Sequence, residues 1–118
     1  MIVGTEWLVE ARGCRPDALR DLPRVRAVLE DVLLRLELRV VGEGLFHAFP
    51  GEGGVTAMYL LTESHLTCHT YPEHGLATFN LYCCRPRPGY PWNEALAEAL
   101  GATHVEVRAL PRGGEAAR

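Results

Sequence analysis

The residues able to do chemistry crowd into one stretch of this 118-residue chain, Thr62-Glu63-Ser64-His65-Leu66-Thr67-Cys68-His69-Thr70-Tyr71-Pro72-Glu73-His74. His65, His69, His74 and Cys68 are metal-ligand types, but their spacing matches no compact zinc signature. His65 and His69 would share a ligating face only on a helix. The β-branched threonines and Pro72 disfavour a helix here, so no metal is expected. Ser64 could serve as a nucleophile if a histidine base and an orienting carboxylate were arranged around it. Both residue types are at hand, yet the GxSxG turn that exposes such a serine is missing. Taken singly, a histidine is more often a structural or surface residue than a catalytic one.

Composition narrows the chemistry. All 12 basic residues are arginine, glutamine is absent, asparagine stands only at 80 and 93, and Ser64 is the lone serine. Without lysine the chain cannot hold pyridoxal phosphate, run a lysine Schiff-base aldolase, or build a Walker A loop. A net charge of −3 and no basic run argue against a nucleic-acid partner. With 47% hydrophobic and 23% charged residues, the chain suits one domain over residues 1–118 rather than disorder.

Cys14, Cys68, Cys83 and Cys84 form no CxxC pair, and a bridge between adjacent cysteines would be strained. The first residues lack a charged-then-apolar leader, and no apolar run approaches the ~18 residues of a membrane span. A reduced, cytoplasmic protein without membrane contact is expected.

The elements that must carry the stretch follow from periodicity. Residues 2–11 read as a strand. Asp21 caps a helix over 22–36, where Leu22, Val25, Leu29, Val32, Leu33 and Leu36 recur at helical spacing. Strands are expected over 37–49, with a glycine irregularity, and over 55–62, 65–71 and 76–84. A helix over 92–100 ends at Gly101, and a last strand covers 103–110. In the strand 76–84, Ala77, Phe79, Leu81 and Cys83 form an apolar face, which sends Cys84 to the polar one. The order β-α-β-β-β-β-α-β predicts an α+β two-layer sandwich, with two helices on one face of a mostly antiparallel sheet. The second face then has to be polar or covered by a partner subunit.

ESHLTCHTYPEHG followed by LATFNLYCC resembles the processing segment of bacterial S-adenosylmethionine decarboxylase proenzymes, whose pattern is ESH-x-x-x-H-T-x-P-E and then a cysteine. VEARGCRPDAL, FHAF, GGVTAMYLLTESH and the closing helix and strand extend the likeness over most of the chain. The resemblance implies that Ser64 attacks the carbonyl of Glu63 and the chain cuts itself between them. Ser64 becomes a pyruvoyl group, which binds the substrate amine as a Schiff base and draws electrons during decarboxylation. A chain without lysine would thus make its carbonyl cofactor from its own serine.

The resemblance further implies that His69 assists the cleavage and that Thr56, where the family usually has serine, helps it. Cys84 matches the cysteine that protonates the substrate α-carbon, and Glu73 the acid that holds ribose hydroxyls. Phe46 and Phe49 stand where aromatics could pack on adenine, or in the core. The family's product is the aminopropyl donor for spermidine, and its bacterial members are homodimers of cleaved protomers. Three departures bear on the pocket. Gly4-Thr5-Glu6-Trp7 replaces the family's GRHL, Asn80 replaces a frequent aspartate, and Arg85 a frequent glycine. Glu6 could face a guanidinium or ammonium as readily as a sulfonium. Arginine or ornithine is therefore an alternative substrate, and an uncleaved binding or regulatory homologue is a second alternative.

Overall fold

The computed structural model describes residues 1–114. Six antiparallel strands form one sheet in the order β2-β3-β4-β5-β1-β6. The strands are β1 (Ile2–Arg12), β2 (Leu45–Ala48), β3 (Val55–Leu61), β4 (Ser64–Tyr71), β5 (Leu76–Cys83) and β6 (His104–Gly113). Three helices, α1 (Pro16–Leu19), α2 (Leu22–Arg35) and α3 (Trp92–Leu100), cover one face. The two-layer expectation is met.

Alternation decides which side each residue takes. On the helix side lie Val9, Ala11, Ala57, Leu61, Leu66, Cys68, Phe79, Leu81 and Cys83, all buried against Leu29, Val32, Leu96 and Trp92. Filling each such leucine site contributes about 2 kcal/mol. Asp21 caps α2 by accepting from the Arg24 amide at 3.2 Å. Gly101 ends α3 at φ 74°, where a side chain would be strained. The buried Thr70 hydroxyl donates to the Leu19 carbonyl at 2.7 Å and accepts from the Val55 amide at 2.8 Å, tying α1 to the sheet.

Two boundaries differ from expectation, and α1 is a third helix where two were expected. The strand expected over 37–49 shrinks to Leu45–Ala48, because Glu37 and Gly42 adopt positive φ and leave only a bridge from Val40 to Leu61. Helix α1 is a single turn, too short to show a period. Strand β6 runs on through Pro111, which an edge strand tolerates. The other sheet face has no covering layer among the described residues. There Met58 and Leu60 are 50% and 60% exposed beside a polar cluster. No helix among these residues is long and apolar enough to cross a membrane.

Candidate active site

The β3–β4 hairpin brings Ser64 to a tight turn. Leu61 pairs with Ser64, so Thr62 and Glu63 form the two-residue loop. Glu63 adopts φ 62°. In that left-handed region a residue with a Cβ is disfavoured by roughly 1–2 kcal/mol. The strain therefore sits on the residue that precedes Ser64. The Ser64 hydroxyl donates to the Thr62 carbonyl at 3.2 Å.

Strand register supplies the cysteine. β4 and β5 pair His65 with Tyr82, and continuing that antiparallel register two residues sets Cys84 opposite Glu63. The Cys84 thiol donates to the Glu63 main-chain carbonyl. Cys83, one residue earlier, is buried, and burial pushes its thiol up from the ordinary range. Glu63, Ser64 and Cys84 line a cavity of about 410 Å³ with Glu37, Arg39, Thr62, Arg85 and Arg87. A carbonyl group generated at Ser64 fits this place, since it would stand at the cavity wall beside a thiol and with no lysine nearby to trap it.

A second polar group lies on the uncovered face. His65 stacks on Tyr82 with centroids 5.7 Å apart and rings 17° from parallel, and its Nε2 lies 3.0 Å from Asn80 Oδ1. Asn80 Nδ2 donates to Glu6 at 2.7 Å, and Arg112 pairs with the other carboxylate oxygen. The amide orientation follows: with Nδ2 turned to Glu6, Oδ1 faces His65, whose Nε2 therefore carries hydrogen. The hydrogen bond from Asn80, then the Arg112 guanidinium, hold the Glu6 carboxyl below the usual carboxylate range against a partial opposing effect of burial. Gly4 makes room, because a Cβ there would meet the Tyr82 hydroxyl at 2.7 Å.

His69 is elsewhere. Its Nδ1 lies 3.0 Å from Thr56 Oγ1, on the uncovered face, in a depression of about 200 Å³ shared with Glu10, Thr78, Asn80 and Arg108. Five residue steps along β4 separate it from Ser64, roughly 16 Å. Phe49, 50% exposed, and Glu73, in the 3-10 turn after β4, stand at the same far end of the sheet. Phe46 points to the helix side, edge-on to Tyr59 at 5.6 Å and under the Arg26 guanidinium, so its surroundings are those of a packing residue. The structure thus joins Glu63, Ser64 and Cys84 in one group, and Thr56 with His69 in another. It does not join the two groups within one protomer. Arg39, Arg87 and the pairing of Arg112 with Glu6 escape sequence reasoning, because long-range contacts of exposed arginines leave no periodic signal.

The model of the S-adenosylmethionine decarboxylase family matches residues 5–113. The chain belongs to the S-adenosylmethionine decarboxylase family. An S-adenosylmethionine decarboxylase proenzyme of Halalkalibacterium halodurans is 40% identical over 113 residues, covering 94% of this chain and 87% of that protein. One from Anoxybacillus flavithermus is 36% identical over the same share of the chain and 88% of its own. The crystal structure of the adenosylmethionine decarboxylase of Aquifex aeolicus superposes with a TM-score of 0.77 at 24% identity, over 99% of this chain and 96% of that one, and supports the fold.

Proposed function

We propose that the chain is a self-processing, pyruvoyl-dependent decarboxylase of S-adenosylmethionine, acting in the cytoplasm as a homodimer and supplying the aminopropyl donor for polyamine synthesis. The observation that carries this reading is the meeting of Glu63, Ser64 and Cys84 at a strained turn. The Ser64 hydroxyl attacks the Glu63 carbonyl carbon, and the Cys84 thiol donates to the oxygen on which negative charge grows. The C–N bond breaks as an ester forms. Loss of the Ser64 α-proton then breaks the Cβ–Oγ bond, leaving a carboxylate on Glu63 and a dehydroalanine at 64. Water converts the latter to a ketone and releases ammonia.

The pyruvoyl ketone supplies a carbonyl that captures the substrate amine and draws off electrons as carbon dioxide leaves. Cys84, facing the same cavity, hands a proton to the substrate α-carbon. His69 on β4 and its cross-strand partner Thr56 on β3 lie too far down the hairpin to serve their own Ser64. Two copies packed through their uncovered faces, strands antiparallel, would bring the far end of one sheet to the Ser64 end of the other. The exposed Met58 and Leu60 would be covered by the same contact. In such a pair the second copy supplies His69 and Thr56 for proton transfer, with Phe49 and Glu73 toward adenine and ribose. Phe46 stays with the core, and Glu6 orients Asn80.

Release of carbon dioxide from carboxyl-labelled S-adenosylmethionine by the cleaved protein tests this function. Release from arginine or ornithine instead would assign the chemistry to a different substrate.

A further inference from the structure

The cavity beside Ser64 carries more positive charge than the precursor uses. Arg39, Arg85 and Arg87 line it against two side-chain carboxylates, Glu37 and Glu63. Arg85 lies 3.4 Å from the Glu63 carboxylate, and Arg87 donates to the Glu37 main-chain carbonyl at 3.5 Å. The Arg39 carbonyl accepts from the Thr62 amide at 3.1 Å, which fixes that arginine's backbone beside the turn. Among the described residues, Arg85 alone of the three pairs with a carboxylate before cleavage, and Arg39 and Arg87 pair with none. Arg85 stands where the family frequently has glycine, so this charge is a feature of this chain.

Cleavage creates the missing anion in place. The new carboxylate on Glu63 holds its original carbonyl oxygen and the former Ser64 Oγ, and it forms at the mouth of this cavity. We propose that Arg39, Arg85 and Arg87 form a receptor for the newly made C-terminus of the first chain. Guanidinium groups suit a carboxylate because their paired N–H groups match its two oxygens. Cleavage also frees Glu63 from the left-handed turn, so the end can swing toward the arginines. That movement takes the Glu63 oxygen off the Cys84 thiol and leaves the thiol facing the group at position 64. The inference rests on the self-cleavage reading.

Thermal unfolding tests it as a cycle between cleavage and charge, with Ser64→Ala supplying the uncut background and intact mass reporting the cut. Arg85→Gly combined with Arg87→Ala should lower the midpoint roughly 3 °C more in cleaved protein than in Ser64→Ala protein, at equal concentration. About 1 M sodium chloride should remove the excess, since the screening length is then ~3 Å. Arg85→Gly alone changes only a side chain 73% exposed and should show part of the same excess without disturbing the fold. Equal losses in the two backgrounds would overturn the receptor while leaving self-cleavage standing. An uncut wild-type chain would overturn both.

Discussion

Cys84 donates its thiol hydrogen to the main-chain carbonyl of Glu63, across the turn that holds Ser64. The contact follows from register: the β4–β5 ladder that pairs His65 with Tyr82 reaches Cys84 and Glu63 two residues on. Under the proposed function this one residue acts twice, first on the Glu63 carbonyl during self-cleavage and later on the substrate α-carbon.

Cys84→Ala should slow both steps. Loss of a strong donor to a developing oxyanion costs about 100- to 1,000-fold, and a thiol is a weak donor, so cleavage should slow roughly 10-fold. Decarboxylation per cleaved site should fall about 100-fold or more with the proton donor gone. Mass spectra taken over time read the first effect, and labelled carbon dioxide the second. Normal turnover per cleaved site would remove Cys84 from the protonation step.

His69→Ala should leave the chain largely uncut, and Thr56→Ala should slow cleavage less, because Thr56 acts through its contact with His69 Nδ1 at 3.0 Å. Coexpression of His69→Ala with Ser64→Ala should restore cleavage of the His69→Ala chain in mixed dimers, each of which pairs an intact Ser64 with an intact His69 from the other copy. Mass spectrometry distinguishes the two chains. No restoration would mean that His69 does not act across the dimer.

Asn80→Asp should be destabilising alone, since it sets a carboxylate beside Glu6 where Asn80 now donates at 2.7 Å. Adding Glu6→His restores the family's residues at both positions and should recover much of the loss, roughly 1 kcal/mol of coupling in a double-mutant cycle. Additive losses would show that the two positions do not interact.

The lowered pKa of Glu6 gives a pH signature. A depressed carboxylate contributes stability that is fully present above its unfolded value of about 4.3 and is lost as pH falls through the folded value. The stability deficit of Glu6→Gln should therefore be constant near neutrality and shrink below about pH 4. Denaturant unfolding at several pH values reads this directly, and a deficit that stays constant into acid would contradict it.

Much of the site is legible in the residue pattern. The clean alternation of Ala77, Phe79, Leu81 and Cys83 separates Cys83 in the core from Cys84 at the cavity. The tight turn at Pro72–Gly75 sets the register that brings Cys84 to Glu63. The distance from Ser64 to His69 is legible too, once both are placed on one extended strand. What the pattern hides is long-range and side-chain borne. Nothing local signals that Arg39, Arg85 and Arg87 converge from two loops, or that Arg112 reaches Glu6 from β6. The short β2 is hidden because Glu37 and Gly42 break an apolar run that otherwise reads as one strand. The role of Phe46 divides between core and ligand until its strand's facing is known, and the pairing of Phe46 with Ala57 turns it inward.

The intact mass of freshly purified protein, beside that of Ser64→Ala, decides whether the chain cuts itself at Ser64. The wild type should give two fragments, residues 1–63 and a fragment from position 64 whose mass and blocked N-terminus report a pyruvoyl group. Ser64→Ala should give one full-length chain. A wild-type chain that remains whole while it decarboxylates, or a Ser64→Ala chain cut at the same bond, would contradict the account.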